Sequence, residues 1–447
     1  MSLSFRRTNA SICDTSGSLL FYTNGFAVCN AYGDTMPNGD SLDYNNDLIQ
    51  WYTRGMPAPQ AALIIKQPDN NSLYYLFHEA WEYFIASNGQ SVIAPKHLFY
   101  SIVDMSADSG KGDIVLKEQI AIDDTLTTGR MTAVKHANGR DWWIIKYEPY
   151  GDGYYSLLLT PNGLMGPYYQ QIGPYLQFNS LGQAVFSPQG DKYANVDHLN
   201  YLQIMDFDRC SGIFSNPVYI PILDSAFPSG AAFSPNGRYL YIASNIYLYQ
   251  YDVWAANIDS SRITVAVWDT FYSPAPPAAA TFYTMQLAPD GKIYFVAPNG
   301  VQVMHVINYP DSAGLACNVC QHCIQLSTFN AFTIPNHPNY FLGAEVGSAC
   351  DTLTTVTENN YPPKNILLKL YPNPTNNFFW VDYDLTNHTG YGELLIYNTL
   401  GEIVLHKTLY NYFKTAKVEC SNLSQGIYYL AILHNGKIIG SGKFIKQ

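Results

Sequence analysis

The sequence predicts an all-β chain with a repeating body and a separate tail, on three observations. First, one phrase recurs. Phe233-Ser-Pro-Asn-Gly-Arg-Tyr-Leu-Tyr241 is matched 47 residues earlier by Phe186-Ser-Pro-Gln-Gly-Asp-Lys-Tyr193 and 54 residues later by Leu287-Ala-Pro-Asp-Gly-Lys-Ile-Tyr294. Second, the chain holds 37 Tyr and only 13% charged residues. Tyrosine suits a pleated, half-buried surface, whereas Lys and Glu favour helices. Third, the last stretch of about 80 residues carries short apolar runs separated by turn residues, without the repeat.

The recurring phrase is a strand end, a tight turn and a strand start. Pro235 presets φ near −65° and Gly237 can take a positive φ without steric cost. Weaker copies lie at Ile12–Phe21, Ile64–Tyr74 and Val134–Trp142. Strand-turn-strand similarity at a period of roughly 40–50 residues is the signature of propeller blades. A chain of 447 residues is too long for one ordinary core, and radial repetition avoids that limit. The prediction is a six- or seven-bladed β-propeller over residues 1–350, with blades of the WD40 or YVTN kind.

Taken in order, short strands are expected at Ser11–Cys13, Leu19–Thr23 and Ala27–Asn30. Asp34 to Pro59, rich in Asn, Asp, Gly and Pro, reads as a long loop. Strands resume at Ala61–Ile65 and Leu73–His78, with an insertion from Trp81 to Lys96, then Leu98–Val103 and Ile114–Ile120. Met131–Lys135, Trp142–Tyr147, Tyr154–Thr160 and Tyr168–Ile172 make the next unit. Three further units start at Gln183, Ala231 and Thr284. The pattern is lost after Tyr309, and Ile334–Leu342 is expected to close the ring against the N-terminus.

Residues 351–364 have the polar, Thr- and Pro-containing composition of a linker. Residues 365–447 then read as seven short strands, the mark of an Ig-like antiparallel β-sandwich. Asn435-Gly436 between apolar runs predicts a type I′ hairpin. Charge changes at the same boundary. Pro363 to Gln447 carries 8 Lys against 5 acidic residues, net +3, which leaves −14 on the rest of a chain totalling −11.

That balance argues against nucleic acid as a partner, since phosphate binding needs clustered Lys and Arg. No apolar run reaches the length of about 20 residues that a membrane helix needs. The first residues lack the apolar core of a signal peptide; polar Thr8 and Asn9 follow Arg6-Arg7, unlike a twin-arginine signal. Nucleophile elbow, phosphate loop, HExxH and kinase motifs are all missing from the sequence.

The tail resembles the type A C-terminal sorting domain of the type IX secretion system of Bacteroidetes. The resemblance rests on Tyr371-Pro-Asn-Pro374, Leu400-Gly-Glu402, Leu423-Ser-Gln-Gly-Ile-Tyr428, Asn435-Gly-Lys437 and Lys443-Phe-Ile-Lys446. It implies a sorting signal that includes Pro372, Asn373, Pro374, Gly426, Tyr428, Gly436, Lys437, Lys443 and Lys446. It also implies the secretion machinery as partner, export across the outer membrane, and release or attachment to surface lipopolysaccharide. The body is similar to uncharacterised proteins that carry this domain, through Ala10–Asp14, Leu19–Gly25, Lys135–Trp143, Asp206–Cys210 and Pro335–Tyr340. Such relatives usually have a signal peptide and further sequence upstream, so the first blade is expected to be incomplete here.

Two clusters can carry chemistry. Cys317, Cys320, His322 and Cys323 have the spacing of zinc ligands, with His337 a further candidate. In an exported protein the same thiols form disulfides instead. Cys13 and Cys29, on strands expected to be neighbours, can pair, and Cys210, Cys317 and Cys350 can supply other bridges. Lys135, His136, Arg140 and Asp141 share one turn next to Trp142, as a ligand-contacting loop would; the competing reading is a structural turn with tryptophans packed between blades. Asp206, Asp208 and Arg209 suit a carboxylate–guanidinium tie between blades. No cofactor is expected, with zinc or calcium the metals left open. The expected function is a secreted or cell-surface interaction module, adhesin-like, for a glycan or protein. The alternative is a polysaccharide hydrolase or lyase with paired carboxylates in the channel.

Overall fold

The computed structural model describes residues 3–43, 48–85, 91–149, 152–174, 181–199, 201–274, 277–351, 366–383, 385, 391–398, 402–410, 414–434 and 437–447. The expected linker beyond Asp351 and the expected Asn435-Gly436 turn lie outside them. The chain divides into two compact units, Met1–Leu353 and Thr354–Gln447.

The first unit is a β-propeller. In blade 5, Gly230–Phe233 pairs with Tyr239–Ser244, followed by Tyr247–Asp252 and Ile263–Val267. Blade 4 repeats this with Gly182–Phe186, Lys192–Asp197, Tyr201–Asp208 and Ile213–Pro221. Blade 6 is Met285–Leu287, Ile293–Phe295, Gly300–Ile307 and Val319–Ala331. Blade 3 is Thr132–Lys135, Trp142–Tyr147, Gly153–Thr160 and Gly163–Gln171. Blade 2 is Ala62–Lys66, Leu73–Ile85, Ser91–Asp104 and Asp113–Asp123. Blade 1 has three strands, Ala10–Cys13, Leu19–Thr23 and Val28–Asn30. Among the described residues the blades therefore number six.

Every copy of the recurring phrase is the hairpin turn between the first two strands of a blade. In blade 5 the Ser234 N–H donates to Tyr239 O (2.7 Å), and the Gly237 N–H to Ser234 O (2.9 Å) at φ +76°. Gly17, Gly139, Gly190 and Gly291 hold the same left-handed position in blades 1, 3, 4 and 6; in blade 2 the matching N–H comes from Asn70, which donates to Gln67 O, and the left-handed residue is Asp69, one position earlier. Aspartate tolerates that conformation better than most side chains, which explains the degenerate copy.

Because neighbours along a strand point to opposite faces, each blade packs on both sides. Trp142 joins the apolar cluster between blades 2 and 3, and Trp143 the cluster between blades 3 and 4. Further clusters fill the seams between blades 1 and 2, 4 and 5, and 5 and 6. Two buried ion pairs tie blades as well. Lys146 pairs with Glu79 across blades 2 and 3, and Arg130 NH1 lies 2.8 Å from Asp197 Oδ2 across blades 3 and 4. All four side chains are fully buried, so removing one partner would strand a charge in the core.

Three elements differ from the sequence reading. The Trp81–Lys96 insertion is an extension of the blade 2 hairpin, where Trp81 pairs with Pro95 after a bulge. The patternless stretch after Tyr309 contains the outer strand of blade 6, bulged twice against Gly300–Ile307 and largely exposed, so no alternation marks it. An extra hairpin, Tyr272–Pro274 with Pro277–Ala279, precedes blade 6.

The second unit is a two-sheet sandwich. One sheet orders Ile366–Leu367, Lys437–Lys446, Gly426–His434, Tyr391–Tyr397 and Ile403–Tyr410; the other has Leu370–Tyr371, Phe378–Asp382 and Thr415–Glu419. Ile366–Leu367 and Leu370–Tyr371, only three residues apart, thus belong to different sheets. Phe379, Val381, Leu394, Ile396, Leu430, Ile432 and Phe444 fill the interior from both sides, and Cys420 is buried with them as a small apolar residue.

Candidate functional site

The propeller channel is occupied by the chain itself. Ile334–Leu342 runs down it from the face where the inner strands begin to the face of the hairpin turns. At the upper end the Asn336 N–H donates to Asn9 O (2.9 Å), which closes the ring as expected. Asn336 Nδ2 donates to Ala62 O (3.1 Å) and Met131 O (3.0 Å), and Gln60 Nε2 donates to Asn336 Oδ1 (3.2 Å). Gln60 and Gln183 also bridge blades directly: their amides meet the backbones of Ala184, and of Ala231 and Met285. Lower down, Gln286 Nε2 donates to His337 O, Tyr340 OH to Ile64 O and Asn339 Nδ2 to Pro188 O. His337, proposed as a metal ligand, stands in this channel with Nε2 3.4 Å from Ser11 Oγ; burial lowers its pKa. The space left at the upper mouth, lined by Arg7, Gln60, Gln183, Thr284 and Asn336, is about 10 Å³.

On the turn face the segment leaving the channel, residues 343–350, covers the loop proposed to contact a ligand. Arg209, 4% exposed, donates through Nε to Lys135 O (2.8 Å) and through NH2 to His136 O (3.2 Å) and Gly343 O (2.5 Å). The Glu345 N–H donates to Ala137 O, and a Cys210–Cys350 disulfide fastens this segment. The loop's polar atoms are spent inside the protein. Lys135 Nζ donates to Gly139 O and lies 5.3 Å from the Trp142 ring centre; burial, then Arg209, holds its ammonium below the usual lysine range. His136 Nε2 meets Cys210 O and Nδ1 accepts from Asn138 N–H. Arg140 pairs with Asp141 and Asp69, and Trp142 is buried. The five residues are engaged with one another and with the chain around them, as the structural reading of the turn expects. Arg209 does not pair with Asp206 or Asp208, as the tie between blades required: Lys192 takes Asp206, and Asp208 caps the Cys210 N–H.

The residues with zinc-ligand spacing are not brought together around a common point. Cys320 and Cys323 are joined in a disulfide, so neither offers a thiolate. His322 lies 2.8 Å from Asp269 and stacks on Phe271 at 4.0 Å, while Cys317 is buried. Among the described residues no group of three metal-ligating side chains forms. Cys13 and Cys29 are free because their strands flank the same middle strand instead of adjoining.

The opposite face of the propeller carries the insertions: the later part of the Asp34–Pro59 connection, which bonds Asn24 and Thr8 through Met56 and Ala58, the blade 2 hairpin extension and the Tyr272–Ala279 hairpin. Loops there leave large apolar side chains open, with Leu223 82%, Phe227 47% and Leu199 46% exposed. His198 stacks on Phe227 at 5.0 Å and bonds Ser229 through Nδ1.

In the second unit the residues named from sequence converge on the terminal strand. Asn373 Nδ2 donates to Lys443 O (3.0 Å), and its Oδ1 accepts the Ile445 N–H (2.9 Å), so the Pro372–Pro374 loop grips that strand by backbone groups. Gly426 opens the neighbouring strand opposite Lys446, Tyr428 stacks on Phe444 at 5.3 Å, and Lys437 pairs with His434. Leu368, Leu370, Asn373, Tyr429, Gly442 and Lys443 border an open groove of about 500 Å³. Residues 369–447 match the family model of the secretion system C-terminal sorting domain. The tail unit is a sorting domain of the type IX secretion system. The sorting domain addresses the chain for export to the cell surface or beyond, with the secretion machinery as its partner. Among the described residues no helix is long and apolar enough to cross a membrane.

No curated protein matches the chain. Among solved structures it is similar to a protein from Lactobacillus plantarum (11% identity, TM-score 0.40, 92% of this chain and 100% of that one). A putative 6-phosphogluconolactonase from Bacteroides uniformis has 12% identity and a TM-score of 0.40, over 92% of this chain and 98% of that one. The periplasmic gluconolactonase of Pseudomonas aeruginosa has 12% identity and a TM-score of 0.37, over 89% and 97%.

Proposed function

We propose that this is an exported ligand-binding protein whose propeller works through its insertion face, as an adhesin-like module for a glycan or protein. One observation carries the reading: Ile334–Leu342 fills the channel and is hydrogen-bonded to blades 1, 2, 3, 4 and 6. A hydrolase or lyase of the channel type needs room for a sugar between two carboxylates. The remaining recess, about 10 Å³, has room for about one water. On the turn face the Lys135–Trp142 loop is committed to the clasp made by residues 343–350, while the insertion face leaves Leu199, Leu223 and Phe227 open among its loops. The test is a glycan and protein binding screen of the full chain, coupled to analysis of the polysaccharides for breakdown products. Retention of a ligand without products is the expected result; turnover of any bound polysaccharide would reverse the conclusion.

A further inference from the structure

The upper mouth of the channel, on the insertion face, gathers cations that no carboxylate pairs among the described residues. Arg6 and Arg7 reach it from the N-terminal segment, and Arg54 from the Asp34–Pro59 connection. The Arg6 guanidinium lies 4.5 Å from the centre of the Trp51 ring and 5.9 Å from that of Phe332; Arg7 lies 5.6 Å from the same Phe332 ring. Among the described residues none of the three is in an ion pair with a carboxylate, in a chain of net charge −11. Burial first, then repulsion from Arg7 and Arg54, lowers the pKa of Arg6, so the cations are held together rather than neutralised.

The mouth also holds donors with nothing to bond. Nε of Arg6 and of Arg7 is buried without a hydrogen-bond partner among the described residues, and so are the hydroxyls of Tyr283 and Thr284, both residues 3% exposed. Thr284 and Arg7 line the recess of about 10 Å³, which has room for about one oxygen atom. Buried donors left unpaired are costly, and an anionic oxygen placed there would satisfy several at once.

We propose that this mouth binds a carboxylate of an acidic polysaccharide, with one oxygen in the Thr284–Arg7 recess and the Arg6 and Arg54 guanidinium groups around the charge. A sugar fits better than an acidic peptide. The recess accepts an oxygen but no apolar side chain. The inference deepens the ligand-binding reading and rests on it.

The experiment measures binding of the full chain to polygalacturonate, to a neutral glucan and to poly-L-glutamate, at low and high salt, for the natural chain and the R6Q/R54Q variant. Arg54→Gln alone, at an exposed side chain, serves if the double variant fails to fold. Expected are binding of polygalacturonate that weakens with salt, and a loss of about tenfold or more in the variant. Equal affinity of variant and natural chain for polygalacturonate would overturn the proposal, as would no affinity for any anion. Tighter binding of poly-L-glutamate would overturn it in favour of an acidic peptide. Binding of the neutral glucan, unchanged by the substitutions and without binding of polygalacturonate, would end this inference alone and leave the broader reading standing. A chain that holds neither glycans nor proteins in the wider screen ends both.

Discussion

His78 shows how one side chain sets a condition on the whole fold. It is fully buried in blade 2, with Nε2 3.2 Å from Ser101 Oγ. Burial, assisted by Lys117, lowers its pKa from 6.5 to about 3. His305 in blade 6 is lowered to about 4, again by burial first. In the unfolded chain each imidazole takes a proton near pH 6.5, so between there and the lowered values the unfolded state binds more protons. The stability they contribute is complete above pH 6.5 and is lost as the pH falls. At pH 4 the loss from His78 alone is about 3 kcal/mol. Thermal melts from pH 7 to 4 should therefore show a steep fall in Tm, and a flatter one in His78→Gln. Parallel curves for the two proteins would mean that His78 is not the cause.

At the scale of elements, each blade depends on how closely its inner strand approaches the next. A Cβ built on Gly230, at the start of blade 5, would lie 2.0 Å from Tyr283 O, a backbone atom of the segment leading into blade 6. A Cβ on Gly300, in the third strand of blade 6, meets nothing within 4 Å. Gly230→Ala is expected to cost about 1–3 kcal/mol by forcing the blades apart, whereas Gly300→Ala should change stability by less than about 0.5 kcal/mol. Denaturant midpoints of the two variants check this, and similar midpoints would show that the seam between blades 5 and 6 tolerates expansion. The Cys210–Cys350 disulfide works at the same scale. It closes a loop of 140 residues and on chain-entropy grounds restrains the unfolded state by about 5 kcal/mol, against about 2 kcal/mol for the short Cys320–Cys323 bridge.

At the scale of the whole molecule, the sorting domain decides where the propeller is delivered. Removing residues 369–447 should therefore leave the propeller in the periplasm. Cell fractionation and surface labelling check this, and normal surface display of the shortened chain would contradict the address. Binding by the propeller should survive that deletion, because the residues proposed to hold the ligand all lie in Met1–Leu353.

The sequence by itself determined the blade turns, down to the degenerate copy at Asp69, because proline, glycine and the flanking aromatics act on their immediate neighbours. It determined the sorting domain for a similar reason: Asn373 and the residues around Tyr428 and Lys443 keep a fixed order along a short stretch. Only the tertiary structure decided that Ile334–Leu342 fills the channel, that Arg209 and residues 343–345 cover the Lys135–Trp142 turn, and that Cys320 pairs with Cys323. The same holds for Gln60, Gln183 and the Glu79–Lys146 and Arg130–Asp197 pairs, whose partners lie far along the chain and leave no local pattern. Arg6, Arg7 and Arg54 make the point most plainly. Two adjacent residues and one 47 positions on became a single charged mouth only when the ring closed around them, since electrostatic energy depends on distance in space and not on separation in sequence.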